Sequence, residues 1–163
     1  MKKVPSLTKL KRYNSYEKDP NTQSATETEK VVKKEVEKRI AKTKKAEKES
    51  KKFTRYKIHG KKKSRNLIIG WGSTKGAILD AIKNLDCKFL QILYLEPFPK
   101  EIKKELEKAD NVVLIENNAS GYLGDLIRQK TGFEIRDKNK ILKYTGREFL
   151  ADELNKEIEE KLK

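Results

Sequence analysis

Three short apolar runs set the limits on this fold: residues 67–69, "KFLQILYLEPF" from Lys88 and "NVVLIENN" from Asn111. Each gives way to residues with helical spacing. Ile78, Ala81, Ile82 and Leu85 share one helix face, as do Ile102, Leu106 and Ala109. "SGYLGDLIRQKTG" reads as a third helix, with Ser120 as its N-cap and Gly132 as its stop. Short buried strands alternating with helices predict an α/β fold with a mostly parallel sheet. "FEI" and "ILKY" are short strand candidates, and Leu150, Leu154, Ile158 and Leu162 stripe a terminal helix.

The charge is unevenly placed. Residues 1–64 hold 22 basic and 8 acidic side chains, and residues 65–163 hold 18 and 17. The expected boundary therefore falls at 64/65, with a basic arm and linker before it and the α/β domain after it. The first 27 residues have few apolar groups and read as extended or disordered. Residues 28–50 lack Gly and Pro and carry Val32, Val36 and Ile40 at i, i+4, i+8, which predicts a helix with a thin apolar stripe. "GKKKS" at 60–64 reads as a linker.

A single cysteine, Cys87, excludes a disulfide framework and an iron–sulfur cluster held by this chain alone. A single histidine, His59, leaves no zinc-ligand cluster. No apolar run reaches the ~18 residues of a membrane span, and no hydrophobic region follows the basic start. Cytoplasm is the expected location.

The glycine-rich turn "GWGSTKG" resembles a phosphate loop. The P-loop order fails, because Lys75 precedes Gly76 and no Ser or Thr follows. Gly70, Gly72 and Gly76 give G-x-G-x-x-x-G, one residue longer than the dinucleotide fingerprint, although Glu96 stands where an acidic residue belongs. The plainer reading is a tight strand-to-helix turn. Gly72, Ser73, Thr74, Lys75 and Gly76 remain a candidate anion loop. Asn117 and Asn118 come before Gly124 and Asp125, the reverse of the order that holds magnesium in thiamine-diphosphate sites, so these residues read as strand-end and cap residues. The basic arm reads first as a solvated face. Its alternative is nucleic-acid contact, with Tyr13, Tyr16, Phe53 and Tyr56 among the lysines as stacking residues.

Taken in order, "GWGSTKGAILDAI", "FLQILYLEPFP", "VVLIENNASGYLGDLIRQKTG" and "ILKYTGREF" resemble the C-terminal part of the α subunit of 2-oxoacid:ferredoxin oxidoreductases, the 2-oxoglutarate type above the pyruvate type. "NSYEKD" at 14–19 and "EKRIAK" at 37–42 are similar to the family's segment leading into that domain. The resemblance covers roughly residues 13–150. It implies a three-layer α/β/α sandwich like the transketolase C-terminal domain. It also implies a holoenzyme that oxidatively decarboxylates a 2-oxoacid to acyl-coenzyme A and reduces ferredoxin. A pyrimidine-binding part of the α subunit would hold the aminopyrimidine half of thiamine diphosphate, the β subunit would hold its pyrophosphate half and magnesium, and iron–sulfur clusters would sit on other chains or domains. The pyrimidine-binding domain and the acid that activates the cofactor are missing here. The expectation is a fragment, a split subunit or a diverged stand-alone copy that binds no cofactor and is not catalytic alone. Two other readings stand beside it: a basic-armed nucleic-acid-binding protein and a small nucleotide-binding domain.

Overall fold

The computed structural model describes residues 16–22 and 24–163. It divides into two compact units, Met1–Lys48 and Glu49–Lys163. The expectation of disorder at residues 1–15, and Tyr13 with it, lies outside the described residues.

In the first unit, β1 (Glu17–Lys18) pairs antiparallel with β2 (Ala25–Thr26). The turn between them is organised by Asp19, whose Oδ1 accepts from the backbone N–H groups of Asn21 and Thr22, both at 2.8 Å. These bonds hold the Asp19 carboxyl below its ordinary range. The stretch is thus paired where the sequence reads as extended or disordered. Helix α1 (Glu29–Ser50) follows, close to the expected span. Arg39 on α1 forms an ion pair with Glu17 of β1. Val36 and Ile40 of the expected stripe are exposed.

The second unit is built on a five-stranded sheet. Its strands are β3 (Tyr56–Gly60), β4 (Asn66–Trp71), β5 (Lys88–Ile92), β6 (Asn111–Glu116) and β7 (Lys140–Leu142), in the order β3-β5-β4-β6-β7. β3 runs antiparallel to β5, and the other pairs are parallel. The helices are α2 (Lys75–Ala81), α3 (Lys103–Glu107), α4 (Tyr122–Thr131) and α5 (Ala151–Leu162). Side chains alternate across a strand, so each strand serves two cores. Leu67, Ile69, Leu90, Ile92, Val112 and Leu114 face Ile102 beside α3, Leu106 of α3, and Leu123 and Ile127 of α4. Ile68, Phe89, Val113 and Ile115 face Ile78 and Ala81 of α2 and Leu154 and Ile158 of α5. The sheet is mostly parallel, as the alternating pattern predicts, and it lies in the three-layer α/β/α sandwich that the resemblance implies. β5 is buried along its whole length, including Lys88, whose Nζ meets Glu105 of α3 at 2.8 Å.

Four expectations are corrected. β3 lies in the stretch assigned to the arm, and it closes the sheet edge, so the compact unit begins at Glu49 rather than Arg65. "FEI" forms no strand: Phe133 and Ile135 pack into the core, but β7 holds the place beside β6. α2 stops at Ala81, and Leu85 reaches the core from the turn after it. Ser120 does not cap α4. That position is Gly121, left-handed at φ 67°, while Gly132 ends the helix as expected at φ 78°.

Candidate functional site: a crevice at the carboxyl edge of the sheet

β4 and β6 lie side by side, and the chain leaves them in opposite directions. After β4 it turns to α2 on one face; after β6 it turns to α4 on the other. Such a divergence opens a crevice at the carboxyl ends of the strands. Here the crevice holds two small cavities. One, about 270 Å³, is lined by Trp71, Gly72, Ser73, Thr74, Asn117 and Asn118. The other, about 190 Å³, shares Ser73, Thr74 and Asn117 and adds Ala77, Glu148 and Phe149.

Local chemistry fixes each wall. Gly70 has no room for a side chain: a Cβ there would sit 2.7 Å from Ile78 Cδ1 and 3.3 Å from the Ile115 carbonyl oxygen. Gly72 turns the chain at φ +60°. Residues 72–74 form one 3-10 turn, and the Thr74 hydroxyl donates to the Trp71 carbonyl at 2.8 Å. On the other wall, Asn118 Oδ1 accepts from the N–H groups of Ser120 (3.0 Å) and Gly121 (2.6 Å), folding an Asx turn. Asn117 Nδ2 donates to the Arg147 carbonyl at 3.4 Å.

Glu116 joins the two walls. It ends β6 with only 2% of its surface exposed. One carboxylate oxygen accepts from Trp71 Nε1 at 3.3 Å, and the other accepts from the Leu123 N–H at 2.9 Å, in the first turn of α4.

Of the candidate anion loop, Gly72, Ser73 and Thr74 line the crevice, whereas Lys75 and Gly76 open α2 and are not part of its lining. Asn117 and Asn118 meet that loop across the crevice. Glu96 does not: it lies beyond β5 and pairs with Lys130 at 3.1 Å. His59 is on β3, hydrogen-bonded to Gln91 at 3.0 Å and stacked on Phe89. Cys87 is buried, and burial pushes its thiol up to about 11. Among the described residues no group of three His, Cys, Asp or Glu side chains could hold a metal. With Glu116 engaged in two internal bonds, the crevice residues do not fit a magnesium diphosphate. The crevice can bind by apolar contact, stacking and hydrogen bonds, with Glu148 the one charged residue of its lining.

Trp71, Glu116, Glu148 and Phe149 were not legible as site residues. The signal for Glu116 is a carboxylate closing the apolar run "VVLIE", a place where a charge must find internal partners.

No protein-family model matches the sequence. The chain is 40% identical over 125 residues to the 2-oxoacid:ferredoxin oxidoreductase 1 α subunit of Sulfurisphaera tokodaii, covering 75% of this chain and 20% of that protein. It is 33% identical over 97 residues to the 2-oxoglutarate oxidoreductase subunit KorA of Mycobacterium tuberculosis, covering 56% of this chain and 14% of that protein. Among solved structures, the 2-oxoglutarate:ferredoxin oxidoreductase of Magnetococcus marinus superposes with a TM-score of 0.65 at 20% identity, over 91% of this chain and 26% of that chain. The chain spans about a fifth of the length of the Sulfurisphaera relative it matches. By sequence and fold it corresponds to one segment of the α subunit of the 2-oxoacid:ferredoxin oxidoreductases.

Proposed function

We propose that this chain is a docking domain of a 2-oxoacid:ferredoxin oxidoreductase and supplies no catalytic group. The observation that carries this reading is the makeup of the crevice. The carboxyl edge of a parallel sheet is where an α/β protein places its chemistry, and here it presents Trp71, Ser73, Thr74, Asn117 and Asn118 with Glu148 as the one titratable side chain in the lining, so no acid–base pair. The partners are the pyrimidine-binding part of the α subunit and the β subunit, with ferredoxin reached through the complex, in the cytoplasm. Thiamine diphosphate, magnesium, coenzyme A and the iron–sulfur clusters belong to those other parts. The substrate is 2-oxoglutarate, a choice supported by the similarity to KorA.

The test isolates the tagged full chain from its own cells. The recovered material is assayed for coenzyme A-dependent oxidation of 2-oxoglutarate and of pyruvate, with ferredoxin as acceptor. Activity that co-purifies and favours 2-oxoglutarate is expected. Recovery of the chain free of any such activity sinks the proposal, and faster turnover of pyruvate sinks the substrate assignment alone.

A further inference from the structure

The exposed large apolar side chains of the second unit are not scattered. Among its described residues they are Phe53, Trp71, Leu93, Tyr122, Tyr144 and Leu150. Trp71 ends β4, Leu93 follows β5, Tyr122 opens α4 after β6, and Tyr144 and Leu150 lie between β7 and α5. Five of the six thus sit on the connections that leave the carboxyl ends of the parallel strands. Tyr122 and Tyr144 are 68% and 70% exposed. An apolar rim of this kind marks an interaction surface.

The crevice lies within that rim, and its dimensions select the kind of ligand. Cofactor and small-molecule pockets commonly measure about 300–1,000 Å³. The two cavities here, about 270 and 190 Å³, are smaller and divided by Ser73, Thr74 and Asn117. Each is the size of a side chain. Trp71 is 39% exposed, yet its ring is pinned through Nε1 to the buried Glu116. A half-exposed aromatic already held in place loses little freedom on binding, which is the condition of an interface anchor.

Resting on the docking reading above, we infer that this crevice is the docking notch for the rest of the α-subunit polypeptide, a segment of which inserts apolar side chains beside Trp71. The occupant follows from length: the matched region is a fifth of the Sulfurisphaera α subunit, so relatives carry some four-fifths of their chain outside it. In that relative the remainder belongs to the same polypeptide as the matched region. The mixed lining suits a peptide. Asn117, Asn118 and Ser73 meet backbone groups, and Trp71 and Phe149 meet the inserted side chains.

The experiment uses the tagged full chain in its own cells and reads the amount of α-subunit remainder that co-purifies. Ser73→Arg places a long charged side chain at the crevice from an exposed position, and Lys62→Ser alters an exposed residue in the turn between β3 and β4, at the opposite end of the sheet. Recovery should fall by about tenfold or more for S73R and stay at the wild-type level for K62S. Unchanged melting temperature and unchanged fluorescence of Trp71, the protein's one tryptophan, show that S73R is folded. As a second measurement, p-benzoylphenylalanine installed in place of Ser73 should photo-cross-link to the α-subunit remainder. A cross-link to the β subunit, to a second copy of this chain or to nothing, while the complex still co-purifies, overturns the inference and leaves the docking reading intact. Wild-type chain that recovers no complex at all removes both.

Discussion

Trp71 and Glu116 lie 45 residues apart and meet at 3.3 Å, because parallel β4 and β6 run in register, Ile69 opposite Leu114. The same carboxylate accepts from Leu123 N–H in the first turn of α4. Glu116→Gln keeps the shape but turns an amide N–H toward one of these donors. A buried donor left without an acceptor costs about 1–3 kcal/mol. Thermal unfolding should show that loss, and Trp71 emission should shift to the red as the ring is freed. Unaltered stability and emission would show that the carboxylate pins neither wall.

The three glycines of the turn differ in what they tolerate. A Cβ at Gly70 meets Ile78 Cδ1 at 2.7 Å and Thr74 Oγ1 at 3.1 Å, inside a packed core. Gly70→Ala should cost about 1–3 kcal/mol, as overpacked cores do. Gly72 holds φ +60° with open space around it, so Gly72→Ala should lose about 1–2 kcal/mol through the backbone alone. Gly76 sits in α2 with nothing within 4 Å, and Gly76→Ala should gain roughly 0.5–1 kcal/mol. Urea unfolding of the three variants checks the order. A Gly76→Ala loss as large as that of Gly70→Ala would contradict it.

Much of the sandwich is visible in the sequence because the apolar runs of β4, β5 and β6 alternate with residues spaced at the helix period. Ile68 and Ile69 already announce two faces. β3 is concealed: "YKIHG" is short and sits among lysines, and an edge strand carries charge such as Lys57 on purpose. "FEI" shows the opposite failure. Its period of two is real, but a strand needs a neighbour to bond, and β7 has taken that place. The glycine turn is legible as a turn, and Gly72 to Thr74 do face Asn117 and Asn118. The anchoring of Trp71 by Glu116 and the wall formed by Glu148 and Phe149 are not legible, since strand register and a long crossover bring them together.

Cys87 makes a pH signature. It is 1% exposed, and burial raises its thiol to about 11, with the Asp86 carboxylate adding to the shift and Lys61 opposing it. A raised thiol pKa favours the protonated form in the folded state. Its contribution to stability is therefore complete below the unfolded thiol pKa of about 8.5 and is lost as pH rises toward 11. Urea unfolding at pH 8 and pH 10.5 should show a larger alkaline loss for the wild type than for Cys87→Ala. The native thiol should also resist Ellman's reagent at pH 8 until the chain unfolds. Equal alkaline losses in the two proteins would mean that the thiol ionises freely in the folded state.

The last prediction concerns where the folding unit begins. β3 pairs with β5 along all five residues, from Tyr56 opposite Ile92 to Gly60 opposite Lys88. Leu93 and Tyr94 N–H groups donate to the Arg55 carbonyl, and Arg55 forms an ion pair with Glu101 beside α3. On one face Tyr56 and Ile58 cover the core of α3 and α4; on the other His59 stacks on Phe89. Removing residues 1–64 therefore strips the edge of a fully buried strand and uncovers Phe89. The 65–163 fragment should aggregate or unfold without cooperativity, because β5 becomes an unprotected apolar edge. The 49–163 fragment keeps β3 and should unfold in one transition, with coincident fluorescence and circular-dichroism curves. Cooperative unfolding of 65–163 with undiminished stability would show that β3 is dispensable and return the boundary to Arg65.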